Sequence, residues 1–347
     1  MNKLTELTSI LTSYRDSLDL LRQNFDINDP FRGINPALVK EPLEEVVKLS
    51  ELMKAHATKV GIVFKPSMLT KGIDAAYKEV KDMSSSNILM ISLMAQLTGE
   101  DLSKLFYNEL LDAFKALISS VCDFVEEILS LANLSSSARE QISDAEDSSG
   151  RLVSVGKIWT NCDALVNLGK NGKLGILSSK VKESKELIED GLAEFEEWSE
   201  KPEKVGTDDF FGSDEESDIE PAPKNMSDQE KKFYDNGDAD KFVEYCKTWV
   251  TKIKLIKILY NSLTKSLPSM TSGSMIDEIY QVQRKLVRLL DQFVVSLMLN
   301  AEAHEDTQNL EKEITTSCRR IVQIVRRINE GNENKIKWCD AWETKFR

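Results

Sequence analysis

Three observations predict an all-α fold built as two antiparallel helical bundles. Apolar residues recur three and four positions apart in segment after segment, which marks one face of a helix. Breakers are scarce, with 15 glycines and 8 prolines in 347 residues, while Leu, Lys, Glu and Ser abound. No segment alternates apolar and polar residues with period two over a strand's length. The chain is long enough for two domains of roughly 150 residues each. Stripes of this kind cannot be buried singly, so the helices, about five per bundle, should pack antiparallel at crossing angles of roughly +20°.

The first stripe is Leu4, Leu7, Leu11, Tyr14, Leu18, Leu21 and Phe25, a heptad-like seam. "NDPFRGINP" then breaks the helix with two prolines and a glycine. A second helix is predicted from Ala37 to Val60. A third pattern runs from Ser67 to Leu97, with a kink at "SSSN", residues 84–87. Its most apolar part, "ILMISLMAQL" (88–97), is far short of the ~20 residues of a membrane span and reads as a helix buried on most faces. "TGED" (98–101) has the form of a capping box and opens the longest helix, Leu102 to Leu134. "SSSARE" offers another box, Ser137 with Glu140, for a helix that pauses at "DSSGR" (147–151) and continues to Leu168. "GKNGKLG" (169–175) reads as a helix–helix turn. It has neither the spacing nor the preceding strand of a phosphate-binding loop. The next helix shows Leu177, Val181, Ile188, Leu192, Phe195 and Trp198 on one side and charges on the other.

Apolar period is lost from Lys201 to Lys224. Between Gly206 and Ala222 stand seven Asp and Glu residues and no Lys or Arg. Such a segment cannot bury enough apolar surface to offset its ordering entropy, so a disordered acidic insert is expected at residues 201–226. "SDQE" (227–230) is a third capping box. Four stripes follow: Phe242 to Leu267, Met275 to Leu297, Leu310 to Ile328, and Trp338, Trp342 and Phe346. Residues 241–347 hold 18 Lys and Arg against 13 Asp and Glu, a net of +5. With −13 for the whole chain, residues 1–240 carry −18. That balance argues against direct nucleic-acid binding, which needs a basic footprint.

The chemistry-bearing residues are few. Five dispersed cysteines and an acid-containing N-terminal stretch point to a reduced compartment. Cys246 and Cys318 fall on apolar stripes, where a thiol acts as a small hydrophobe. His56 and His304 lack a ligand set at zinc spacing, so no metal is expected. No nucleophile–base–acid order is visible, so neither catalytic residues nor a cofactor are expected. "CRRIVQIVRR" places Arg319, Arg320, Arg326 and Arg327 around an apolar stripe. It reads either as an anion-binding face or as a solvated face whose arginine stems cover the core edge. Trp338, Trp342 and Phe346 read as core, with a partner-anchoring stripe as the rival. In the insert, Phe210 and Phe211 sit in an acid run. Ser213 and Ser217 precede acids in the acid-directed pattern of casein kinase 2, and phosphate would add charge there. "DFFGSDE" is also similar to the paired-phenylalanine acidic motif read by membrane-contact proteins, with Gly212 where that motif has an acid or a phosphorylatable residue. Docking of these acids on the +5 C-terminal region and an inert linker are the remaining readings.

The stretch "GRLVSVGKIWTNCDALVNLGKNGKLGILSSKVKESKELIEDGLAEFEEW" (150–198), followed by an acidic tract, resembles the cyclin-D-interacting protein family (GCIP), in its fungal-type branch. The resemblance implies two bundles of about five helices and no enzyme activity. It also implies partners among D-type cyclins and helix-loop-helix transcription factors, in nucleus and cytoplasm. Two boundaries are open, the acidic insert and "GKNGKLG". The second balances the helix count and gives domains at 1–170 and 171–347, with the insert as a loop inside the second. The resulting expectation is a non-enzymatic interaction scaffold in cell-cycle control. The rival is a trafficking or membrane-contact adaptor using Phe210, Phe211 and the arginine face, without a transmembrane segment.

Overall fold

The computed structural model describes residues 3–25, 29–142, 150–202 and 238–347, and every regular element among them is helical. In order these are α1 (Lys3–Asn24), α2 (Pro42–Val63), α3 (Pro66–Leu69), α4 (Ile73–Met94), α5 (Lys104–Asn133), α6 (Ser136–Glu140), α7 (Arg151–Glu200), α8 (Asp238–Leu263), α9 (Gly273–Asn300), α10 (Glu305–Ile328) and α11 (Glu333–Phe346), with a 3-10 turn at Thr264–Ser266. The chain divides into two compact units, Met1–Ile176 and Leu177–Arg347.

In the first unit the heptad seam of α1 is buried at Leu7, Leu11, Tyr14, Leu18 and Leu21, and α1 packs on α4 and α5. The 30-residue α5 buries Phe106, Phe114 and Phe124 completely. Each such side chain contributes roughly 1.5–3 kcal/mol of transfer free energy. The helix α2 lies against α4 and runs antiparallel to the start of α7. Lys54 pairs with Asp163 at 2.6 Å, and Trp159 Nε1 donates to Thr58 Oγ1 at 3.1 Å. A Cβ on Gly169 would stand 2.5 Å from Val47 Cγ2 and 3.2 Å from the Leu43 carbonyl. Glycine is what allows the two backbones to approach there.

In the second unit α8 is the central strut. Lys257 and Lys254 reach Glu189 and Glu196 of α7 at 2.8 and 2.6 Å, so α7 runs antiparallel to α8. The Tyr260 hydroxyl donates to the Gln283 carbonyl at 2.7 Å, and Trp249 meets Phe293 at 4.3 Å between ring centroids, so α9 is also antiparallel to α8. The C-terminal stretch of α7 and α9 therefore run parallel, on either side of α8. The helix α10 packs on α9 and on α11. Trp342 Nε1 donates to the Leu255 carbonyl at 2.9 Å, which docks α11 on α8.

Several boundaries differ from the sequence reading. The second helix begins at Pro42 rather than Ala37. Leu38 has φ 55, and the Gln96 side chain holds Val39 by both its N–H (2.9 Å) and its carbonyl (2.7 Å), so these residues are held outside the helix. No kink occurs at 84–87; the break lies earlier, at Gly72. Ile88 and Leu89 are exposed, so the apolar run there is buried on one side, not most. Thr98 and Asp101 do bond to each other, but the N-cap of α5 is Ser103, whose hydroxyl accepts from the Phe106 N–H at 3.0 Å. Ser135, not Ser137, caps α6. "GKNGKLG" is no loop: helix continues through it, broken only at Gly172 (φ 61, ψ −169). The box at 227–230 and the insert from residue 203 onward lie outside the described residues.

Candidate functional site

The second unit carries an apolar groove of about 620 Å³ between the C-terminal stretch of α7 and α9. Its geometry follows from the sequence of the two walls. On α9, Val287, Val294 and Met298 form a second apolar row beside the buried Leu286, Leu289, Phe293 and Leu297. On α7, Leu187 stands one position outside the buried stripe and is 62% exposed. Ile188, Leu192, Leu290 and Ile253 of α8 form the floor. Gly191 lines the furrow, and a Cβ there would meet no atom within 4 Å.

Four exposed charges stand at the rim: Arg284, Arg288, Asp291 and Glu194. Among the described residues none of them is in an ion pair. The pairings of α8 place Glu189 level with about Leu286, so Arg284 and Arg288 lie towards the start of the groove. Glu194 and Asp291 follow further along, and Val294, Val295, Met298 and Leu299 close the run. The floor residues are all aliphatic, and among the described residues Ser184 is the one uncharged polar side chain in the lining. This is the make-up of a surface that receives apolar side chains and orients their owner by rim charges.

The residues singled out in the sequence fall elsewhere. Arg320 and Arg327 both bind the Glu278 carboxylate, the latter at 2.6 Å. Burial pushes the Glu278 carboxyl up, but the hydrogen bonds from Arg327 and Arg320 outweigh it and hold the group below the usual carboxylate range. Arg326 bridges Asp340 and Glu343 of α11 at 2.6 and 2.8 Å. Arg319 is exposed and makes no ion pair among the described residues. Three of the four arginines thus serve helix packing inside the second unit. Trp342 and Phe346 are buried and Trp338 half-buried, so that stripe is core. Phe210, Phe211, Ser213 and Ser217 lie outside the described residues. All five cysteines are buried and free. Among the described residues no helix is long and apolar enough to cross a membrane.

The groove was missed because attention went to the strongest stripe on each helix. The signal that could have found it was the surplus row Val287, Val294, Met298, spaced seven and four apart.

Comparison with known proteins gives the chain its relatives. An uncharacterized protein of Saccharomyces cerevisiae is 27% identical over 318 residues, covering 88% of this chain and 85% of the relative. An uncharacterized protein of Schizosaccharomyces pombe is 23% identical over 315 residues, with the same shares covered. Residues 45–201 match the family described as Grap2 and cyclin-D-interacting, N-terminal. That match takes in α2 to α7, including the close approach at Gly169 and the break at Gly172. Across residues 45–201 the chain is similar to the N-terminal domain of the Grap2 and cyclin-D-interacting family.

Proposed function

We propose that this protein is a non-enzymatic interaction protein whose second unit seats an amphipathic helix of a partner protein in the groove between α7 and α9. One observation carries the reading: an open apolar furrow between two parallel helices, rimmed by four charges that make no ion pair among the described residues. A small-molecule site of similar volume places a few polar groups at its depth. Here the charged groups are all exposed at the edge. A helix presenting aliphatic residues at i, i+3 and i+7 fits such a furrow. Charge complementarity specifies its flanks, an acid facing Arg284 and Arg288 and a base facing Glu194 and Asp291. The family description supports partners of the cyclin class, and helix-loop-helix regulators supply amphipathic helices of the required kind. A role in cell-cycle control in nucleus and cytoplasm follows from that class of partner.

The test uses the full chain beside a Leu187→Asp, Val294→Asp variant, with helicity checked by circular dichroism. Both are used for crosslinking capture from native extract. The reading expects a helical segment of a cyclin-like or helix-loop-helix protein crosslinked to α7 and α9, with recovery reduced roughly tenfold or more in the variant, as for central contacts of an interface. Undiminished capture by the variant, or crosslinks that avoid both helices, would overturn it.

A further inference from the structure

His56, Glu79 and Asp82 form a constellation that neither the family assignment nor the groove explains. His56 stands on α2 and the two acids on α4, three residues apart and therefore on one face. One ligand atom from each, an imidazole nitrogen and two carboxylate oxygens, lies within 4.8 Å of the others. The His56 side chain is nine-tenths buried and aimed into the cluster, its Nδ1 3.8 Å from Glu79 Oε2. Both atoms are buried and neither has a hydrogen-bond partner among the described residues. At 3.8 Å they are too far apart to bond each other. Two facing polar atoms left unsatisfied cost about 1–3 kcal/mol each. Something that accepts lone pairs from both sides removes that cost.

We infer that His56, Glu79 and Asp82 bind a divalent first-row metal ion, with Zn²⁺ the expected best ligand among the common ones. One imidazole and two carboxylates carry a charge of −2, which such an ion neutralises. Imidazole in the set favours zinc over magnesium or calcium, which take oxygen ligands alone. Ligand bonds of roughly 2.0–2.2 Å require the three side chains to draw together by about an ångström, within reach of rotamer adjustment. Lys59, 3.8 Å from Glu79 and 56% exposed, is free to swing into water when the ion enters. Asp82 is only half-buried, so the ion keeps a solvent-facing position on that side. Its effect is to clamp α2 to α4, two packed neighbours of the first unit.

The experiment titrates Zn²⁺ into the full, metal-stripped chain by calorimetry and follows thermal unfolding in parallel, with Mg²⁺ as comparator. One Zn²⁺ per chain and a raised unfolding temperature are expected, with no matching response to Mg²⁺. Asp82→Asn, at a half-buried position, and His56→Gln should each weaken binding at least as much as loss of an outer-shell partner does, roughly 10–100-fold. His304→Gln, on the other unit, should leave it unchanged. Failure of Zn²⁺ to bind, or binding that survives both substitutions, overturns the assignment.

Discussion

The thiols show what burial does to a reactive group. Burial pushes Cys122 up to about 11, against the opposing hydrogen bond from Arg22, and Cys162 and Cys246 up to about 12. Burial raises Cys318 further and also raises Cys339. The thiolate is the nucleophile, so at pH 8 none of the five should react with Ellman's reagent until the chain unfolds. Five equivalents released together in denaturant are expected; fast reaction of any one in the native state contradicts the packing. Glu278 gives a pH signature of the opposite sense. Its folded pKa is depressed, so its stabilisation is present above the ordinary carboxylate value of about 4.3 and is lost as pH falls through the lowered folded value. The side chains involved are a quarter to half exposed, which limits the effect to about 1 kcal/mol. Glu278→Gln should therefore cost stability in urea titrations at pH 7, and progressively less as pH falls through the lowered folded value and the wild-type carboxylate is itself protonated. Single residues were the least legible level. Ser103 lacks an acid at the third position after it, so the box rule picked Thr98, and the buried Ser103 cap became visible only with the helix in place.

At the scale of elements, the stripes located the helices, because a buried face of 3.6 period leaves a strong mark. Breaks were harder. The start of α2 expected at Ala37, after Pro36, gives way to Pro42, because the side chain of Gln96, remote in sequence, holds Val39 outside the helix. "GKNGKLG" has a turn's composition, yet only Gly172 takes a non-helical conformation. Three glycines of α7 separate three effects that composition cannot tell apart. Gly169→Ala meets Val47 and the Leu43 carbonyl and should cost about 1–3 kcal/mol by overpacking. Gly172→Ala keeps a backbone conformation that is almost confined to glycine and should cost a similar ~1–3 kcal/mol. Gly191→Ala meets nothing and should stabilise by about 1 kcal/mol through helix propensity. Urea unfolding of the three variants checks all the signs, and a stabilising Gly169→Ala would refute the close approach. On α9 the sequence stripe began at Met275, whereas Ile276 is buried and Met275 half-buried, a rotation imposed by packing against α8 and α10.

At the scale of the molecule, the all-helical class and the resemblance of residues 150–198 were legible, since both rest on local pattern. The groove and the His56 cluster were not. A groove exists where no neighbour covers a face, and a helix does not record its missing neighbours. His56 and Glu79 are separated by a helix end, a short helix and a turn, so no linear spacing rule joins them. The charge asymmetry was legible but misdirected. It drew attention to the arginines of α10, three of which hold α9 and α11, while Arg284 and Arg288, between the stripe residues of α9, were passed over. The order of charges along the furrow has a further consequence. Its walls run the same way, its cations lie towards one end and its anions further along, so the surface is a vector rather than a patch. Recognition through it distinguishes a segment from its own reversal, and a seated helix has its direction, and with it the placement of everything attached to its two ends, fixed by four side chains.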